Sequence, residues 1–346
     1  MRELLTGSQA IVRGALYAGC DFFAGYPITP ATEILLQMLR ELPKVGGVAI
    51  QAEDEIASMG FCLGAAMSGR RVMTATSGPG ISLYSENIGL AIMGEVPIVI
   101  VDVQRMGPAT GGATTVAQGD VQFLRWGTSG GYPVIVLSPT CATECFSLTR
   151  KAFDLAERFR IPVFLATDKE TALTLATVDV DAFDQIPVRE RKQAFSDREF
   201  IPYHVSTQDE VPPMSPIGGV HTVRFTTSTH DEYGHLSKSP EQVRLLNERL
   251  SAKVEMHLDE IAMVKADLQK GADTLVVSYG VTALAAEEAV EMVRVTNKRI
   301  SSLVIYSLWP APEQQIRQAL EGVHRVVIPE LNLGQYQREI QRIAPD

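Results

Sequence analysis

Gly47-Val-Ala-Ile-Gln-Ala-Glu53-Asp54-Glu55 is a short apolar run that stops in three acids, and its reading decides the fold. A Gly-Gly break precedes it and a polar corner follows, so Val48 to Gln51 predict a buried strand with the acids at its C-terminal end. Ile56, Met59, Leu63 and Met67 then recur at helical spacing up to Ser68, and Gly69 stands where a helix C-cap would. The corner is therefore strand-to-helix, and in an open α/β sheet ligands bind at such corners. Asp54 and Glu55 suit the cap and first turn of that helix, facing the positive end of its dipole. Glu53 precedes the helix and is less well explained that way, which makes it a candidate for chemistry; the plain alternative is a second dipole acid or a surface charge.

The same unit repeats outward from this corner. Ser8 is placed to cap a helix carrying Ile11, Val12, Ala15 and Leu16 and ending at Gly19, and Cys20 to Ala24 follow as a strand. Gly25-Tyr26-Pro27-Ile28-Thr29-Pro30 makes the next corner, with Thr29 as N-cap and Pro30 at the first position of a helix bearing Ile34, Leu35, Met38 and Leu39. Further on, the pattern predicts strand 71–76, a helix over 80–93, strand 97–103 with a long loop after it, strand 133–138, helix 142–159 and strand 162–167. Six short apolar strands alternating with helices predict an α/β fold built on a doubly wound parallel sheet. From about 170 to 240, prolines at 187, 202, 212, 213, 216 and 240 and many charges leave no sustained period, as in an ordered crossing segment. Beyond it, 241–269 reads as one long helix, and strands at 273–278, 301–307 and 323–329 predict a second, smaller α/β domain.

Composition narrows the function. A chain of 346 residues that is 45% hydrophobic can bury two cores. Its net charge of −10 and the lack of any basic run of five argue against a nucleic-acid partner. No apolar stretch reaches the roughly 18 to 20 residues of a membrane span, and Met1 to Thr6 lead into an amphipathic helix without a signal-peptide core, so a cytoplasmic location is expected. The four cysteines, at 20, 62, 141 and 145, form no C-x-x-C pair and suit neither a zinc ribbon nor a ferredoxin-type cluster. Buried thiols in a reducing compartment are the expectation, with no electron relay in this chain.

Three further motifs carry possible chemistry. Thr76-Ser77-Gly78-Pro79-Gly80 lies between a strand and a helix, where free backbone N–H groups could meet an anion, although it matches neither the P-loop nor G-x-G-x-x-G and a ligand-free tight turn explains it equally. Gln104-Arg105-Met-Gly-Pro-Ala-Thr-Gly-Gly112 follows the most apolar strand, and Arg105 there could hold a carboxylate with two bonds or pair with Asp102 or Glu95. His230-Asp-Glu-Tyr-Gly-His235 offers two imidazoles and two acids but no further clustered ligands, so a metal site is not expected.

Taken together, Tyr26-Pro-Ile-Thr-Pro30, Gln51-Ala-Glu53, Thr76-Ser-Gly-Pro-Gly80 and Gln104-Arg-Met-Gly-Pro-Ala-Thr-Gly111 resemble, in order and spacing, the α subunit of 2-oxoacid:ferredoxin oxidoreductases. The likeness covers residues 4 to about 170 and continues more loosely through His230 to His235, Ser307-Leu-Trp-Pro310 and Pro329-Glu-Leu-Asn-Leu-Gly-Gln335. It implies a pyrimidine-binding domain for thiamine diphosphate over 1–175, a crossing segment over 176–240 and a transketolase C-terminal-like domain over 241–346. The family glutamate falls on Glu53, whose carboxylate would hydrogen-bond N1′ of the aminopyrimidine and favour the tautomer whose N4′ removes the C2 proton. Thr29 and Arg105 would reach the 2-oxoacid, Pro27, Ile28 and Gly78 would line the cofactor, and Tyr26 and His230 are further possible site residues.

The resemblance also implies what lies elsewhere. A Gly-Asp-Gly motif for the Mg²⁺-diphosphate is missing, since Gly119-Asp120-Val121 fails at its third position, and cluster cysteines are missing too. A β subunit is therefore expected to hold the diphosphate, Mg²⁺ and a 4Fe-4S cluster, with ferredoxin as electron carrier, coenzyme A as co-substrate and an (αβ)2 hetero-oligomer as the assembly. The implied reaction is oxidative decarboxylation of a 2-oxoacid to an acyl-CoA and CO₂, or its reverse. The 104–111 motif is closer to 2-oxoglutarate enzymes than to those for pyruvate or branched-chain acids. A nicotinamide-dependent dehydrogenase would fit the fold but lacks its G-x-G-x-x-G, and a non-catalytic scaffold subunit would require Glu53 and Arg105 to be incidental.

Overall fold

The computed structural model describes residues 2–183 and 188–344. The first half runs β1 (Arg2–Thr6), α1 (Gly7–Tyr17), β2 (Phe22–Gly25), α2 (Thr32–Glu41), β3 (Val48–Gln51), α3 (Glu55–Met67), β4 (Val72–Thr76), α4 (Pro79–Leu83), α5 (Ser85–Met93), β5 (Ile98–Gln104), α6 (Val121–Trp126), β6 (Ile135–Leu137), α7 (Ala142–Phe159) and β7 (Pro162–Asp168). Then follow α8 (Lys169–Leu173), β8 (Leu175–Asp179), α9 (Pro240–Glu255), α10 (Leu258–Ile261), β9 (Val264–Asp267), β10 (Thr274–Ser278), α11 (Thr282–Arg294), β11 (Ser301–Ile305), β12 (Ser307–Trp309), α12 (Glu313–Ala319), β13 (Arg325–Val327) and α13 (Gln337–Ile343).

The main sheet has the order β12-β6-β7-β5-β4-β2-β3, parallel throughout except for β12, which runs antiparallel to β6. A second sheet, β13-β10-β11-β9, forms the smaller layer, and β1 and β8 make an antiparallel ribbon. Side chains alternate along β5: Val99, Val101 and Val103 enter the core under α1, α2 and α7, while Ile98 and Ile100 enter the one under α3 and α5. The second core continues without a break into the smaller layer through Leu275, Val277, Leu303, Trp309 and Tyr336.

Several local expectations give way to packing. Val48–Gln51 is an edge strand, with Val48 46% exposed, because only β2 pairs with it. Thr6 rather than Ser8 caps α1, in a capping box with Gln9. α2 starts at Thr32 after Ala31, so Thr29 and Pro30, joined by a cis peptide, lie in the preceding turn and do not cap it. The predicted 80–93 helix is two, α4 and α5, meeting at Tyr84, whose buried hydroxyl bonds Ser58 and Thr74. The predicted 241–269 helix ends at Glu255, and β9 takes its last residues to pair with β11.

α9 is fastened by charge. Glu95, wholly buried between α5 and β5, receives Arg249 Nη2 at 2.6 Å and Lys253 Nζ at 2.9 Å from that helix, and Arg160 Nε donates to its carbonyl at 2.9 Å. Burial opposes ionisation of this carboxyl, yet Arg249 and Lys253 hold it well below the usual carboxylate range. All four cysteines are free thiols, three of them buried. Among the described residues no helix is long and apolar enough to cross a membrane.

Candidate active site

The C-terminal ends of β3, β2, β4 and β5 lie side by side, and the loops that leave them gather residues distant in sequence. At the end of β4, Thr76 and Ser77 are fully buried, and their hydroxyls have no partner among the described residues. A Cβ on Gly80 would lie 2.1 Å from Thr76 Oγ1 and 2.9 Å from Glu55 Oε1, so the glycine is what lets both side chains enter the same space.

Of the two glutamates at this corner, Glu55 is the buried one and Glu53 the exposed one. Asp54 is the N-cap of α3, its Oδ1 accepting from the Ala57 N–H at 2.7 Å, and that fixes the phase of the helix. Glu55 then shares the inward face with Ser58, Met59, Cys62 and Leu63 and is 8% exposed. Glu53 sits exposed on the loop before the cap, and Ile56, expected on the inner face, is 53% exposed. The acid assigned from sequence to the helix dipole is thus the one beside Thr76.

Arg105 and Thr29 are brought together as the motifs suggested, though through the backbone: Nη1 donates to the Thr29 carbonyl and Nη2 to the Thr110 carbonyl at 3.2 Å. The guanidinium is 5% exposed and its Nε–H is buried without a partner, a donor left for a ligand. Glu95 is spoken for by α9 and does not pair with Arg105. Gly78 adjoins the arginine, since a Cβ there would stand 3.5 Å from Arg105 Cγ, and its φ of +38° is a conformation that favours glycine. The Gly80 and Ile81 amides are used inside the turn, bonding the Ser77 and Gly78 carbonyls. Tyr26, Pro27 and Ile28 are half-buried beside the end of β2, and Thr29 is exposed.

Two residues that sequence reading did not assign to the site lie under it. Asp102 of β5 is fully buried and contacts the carboxyl of Asp120, whose backbone N–H donates to Gln104 Oε1 at 3.1 Å. Gly119-Asp120 therefore turns its acid into the protein rather than toward a metal-bound diphosphate. The signal was an Asp inside an otherwise apolar strand, read only as a possible partner of Arg105. The loop carrying Asp120 is clasped by the C-terminal motif: Gln118 Oε1 accepts from Leu331 N at 3.1 Å, Asn332 Nδ2 donates to the Gln118 carbonyl at 2.8 Å, and the Gln122 N–H donates to Gln335 Oε1 at 2.9 Å. His230 lies elsewhere, near the C-terminal end of α5 and so by the opposite end of β5, with Nδ1 2.8 Å from the Asp231 carbonyl and its ring centroid 4.0 Å from that of Tyr203, the two rings tilted by 37°. No group of His, Cys, Asp and Glu suited to a metal occurs among the described residues.

Residues 13–248 match the family model described as pyruvate flavodoxin/ferredoxin oxidoreductase, thiamine diphosphate-binding. The chain belongs to the pyruvate flavodoxin/ferredoxin oxidoreductase family. Residues 272–346 of this oxidoreductase match pyruvate:ferredoxin oxidoreductase core domain II. It is 42% identical to the 2-oxoglutarate synthase subunit KorA of Methanothermobacter thermautotrophicus over 98% of this chain and 90% of the relative. The ketoisovalerate oxidoreductase subunit VorB of the same organism is 33% identical over 98% and 89%. In three dimensions the oxidoreductase chain superposes on the 2-oxoglutarate:ferredoxin oxidoreductase of Magnetococcus marinus with a TM-score of 0.94 at 32% identity, covering 99% of this chain and 60% of that one. That structure carries 2-oxoglutarate, coenzyme A and succinyl-CoA.

The residues present fit one half of the family's cofactor. A pyrimidine needs an acid for a ring nitrogen and polar groups for its amino edge, and Glu55 with the unpartnered hydroxyls of Thr76 and Ser77 offers both.

Proposed function

We propose that this chain is the α subunit of a 2-oxoglutarate:ferredoxin oxidoreductase, which converts 2-oxoglutarate and coenzyme A to succinyl-CoA and CO₂. The observation that favours this substrate is the 42% identity to the 2-oxoglutarate synthase subunit, against 33% for the ketoisovalerate enzyme, at equal coverage of this chain. Bound thiamine diphosphate supplies the reactive carbon and the electron sink. Glu55 would hold the pyrimidine ring nitrogen, and the surrounding buried surface would exclude water from that contact. Arg105, held by two main-chain carbonyls, presents its free Nε–H edge to the substrate carboxylate, with Thr29 at the mouth of the site.

Asp120 is turned inward, and the family's diphosphate contacts are assigned to a β subunit that also carries Mg²⁺ and the iron-sulfur cluster. The isolated chain is then colourless and binds thiamine diphosphate weakly, because the charge-assisted contacts lie on the other subunit. The test is turnover of the assembled complex on a panel of 2-oxoacids with a low-potential acceptor. The highest kcat/KM is expected for 2-oxoglutarate; a preference for pyruvate or ketoisovalerate overturns the substrate assignment, and submicromolar cofactor binding by the lone chain overturns the half-site.

A further inference from the structure

We infer that Asp102 and Asp120 share a proton and act as a charge regulator for Arg105, setting how strongly it attracts the substrate carboxylate. The inference rests on Arg105 as the substrate-binding residue, the reading given above, and makes the two aspartates positioning residues.

The geometry begins in β5. Asp102 stands opposite Thr76 of β4 and three residues before Arg105, in the middle of the sheet and wholly buried. Asp120 reaches it from the loop that Gln104 pins to the end of β5 and that Gln118 and Asn332 tie to the C-terminal layer. The two carboxyls meet, and no side chain among the described residues donates to either oxygen of Asp102 or to Oδ2 of Asp120; the Gly78 N–H is the main-chain donor that approaches Asp102. Two ionised carboxylates have only acceptors, so such a contact forms when one of them keeps its proton.

The surroundings favour that proton. Burial and then the neighbouring Asp120 raise Asp102 well above the carboxylate range, and burial lifts Asp120 to about 6 against the pull of its partner and of Arg105. The groups that act on the pair are each other, the Arg105 guanidinium at the end of β5 and the Gly78 N–H from the turn after β4. The pair titrates as a unit. Near neutral pH it holds one proton and one negative charge, which offsets Arg105. As pH falls through about 6 it takes a second proton, becomes neutral and leaves the arginine's charge to the substrate. Arg105 itself stays bonded to the Thr29 and Thr110 carbonyls throughout, so the pair alters its charge environment without moving it.

Two measurements test this. Infrared titration of the chain alone is expected to show a carboxylic-acid C=O band near pH 7 that is missing from Asp102→Asn and shifted in frequency in Asp120→Asn, where burial still keeps Asp102 protonated but its carboxyl partner is gone. Its absence from the wild type overturns the shared proton whatever the enzyme's substrate. In the assembled complex, KM for the 2-oxoacid is expected to rise roughly tenfold as pH rises through about 6, the equivalent of one unit of coupling. That step should vanish in Asp120→Asn. An unchanged step in the variant overturns the link to Arg105. A wild-type complex that turns over no 2-oxoacid overturns the functional reading, and the substrate link with it, while the infrared band still decides the shared proton.

Discussion

Glu53 and Glu55 flank a single capping residue, and the choice between them is a matter of helix phase. With Asp54 as cap, the residue after it points inward and the residue before it outward. Glu55→Gln is therefore expected to slow exchange of the cofactor C2 proton in the assembled complex by roughly 10² or more, the usual scale for losing a general acid-base partner. Glu53→Gln should leave exchange within about twofold of wild type on the same scale; hydrogen-deuterium exchange read by NMR separates the two, and the reverse ranking would return the role to Glu53. The sequence pattern missed the burial of Glu55 because Ile56, Met59, Leu63 and Met67 give a stripe of large apolar residues, whereas the inner face keeps Met59 and Leu63 but adds the smaller Ser58, Cys62 and Ala66. Small side chains pack a helix tightly against a sheet but carry little weight in a hydrophobic pattern. Arg105 stood out in the sequence because it follows directly on the fully buried strand β5.

Secondary elements were legible where their caps and faces agree. α7 spans Ala142–Phe159, the range its periodicity predicts, and the parallel strands fall within a residue or two of expectation. α9 was overextended because nothing in the composition marks the point where its buried face, Leu246, Leu250 and Val254, runs out. What anchors that helix is a pair of cations on a buried acid 154 and 158 positions away, which no local pattern reveals. Glu95→Gln leaves Arg249 and Lys253 without their counter-charge and is expected to cost about 3–5 kcal/mol of unfolding free energy. The pH dependence has a definite sign. The folded carboxyl is held below its ordinary value of 4.5, so its contribution is present above that pH and is lost as pH falls further. Denaturant melts of wild type and variant should differ most near neutrality and converge in acid; parallel curves down to low pH would show that the clamp contributes nothing through ionisation.

At the level of the whole molecule, the division into two α/β layers was legible, but not the way they are joined. β12 belongs by position to the C-terminal half yet completes the edge of the main sheet against β6, and the 329–335 motif grips the loop of Asp120. Neither join follows from hydrophobic period, because one is a three-residue strand and the other a set of amide hydrogen bonds. A fragment ending at residue 262 would expose the β6 edge, and light scattering is expected to show it associating far more than the full chain, as open edges do. A fragment that stays as dispersed as the full chain would show that β6 protects itself. The same strand sets a clock during synthesis. Leu137 leaves the ribosome 170 residues before Ser307, which at about 5–20 residues per second is a wait of roughly 8 to 34 s. Once β7 has joined β6 to the sheet, the β6 edge stays uncovered until Ser307 emerges, and neighbouring chains on the same messenger carry the same open seam.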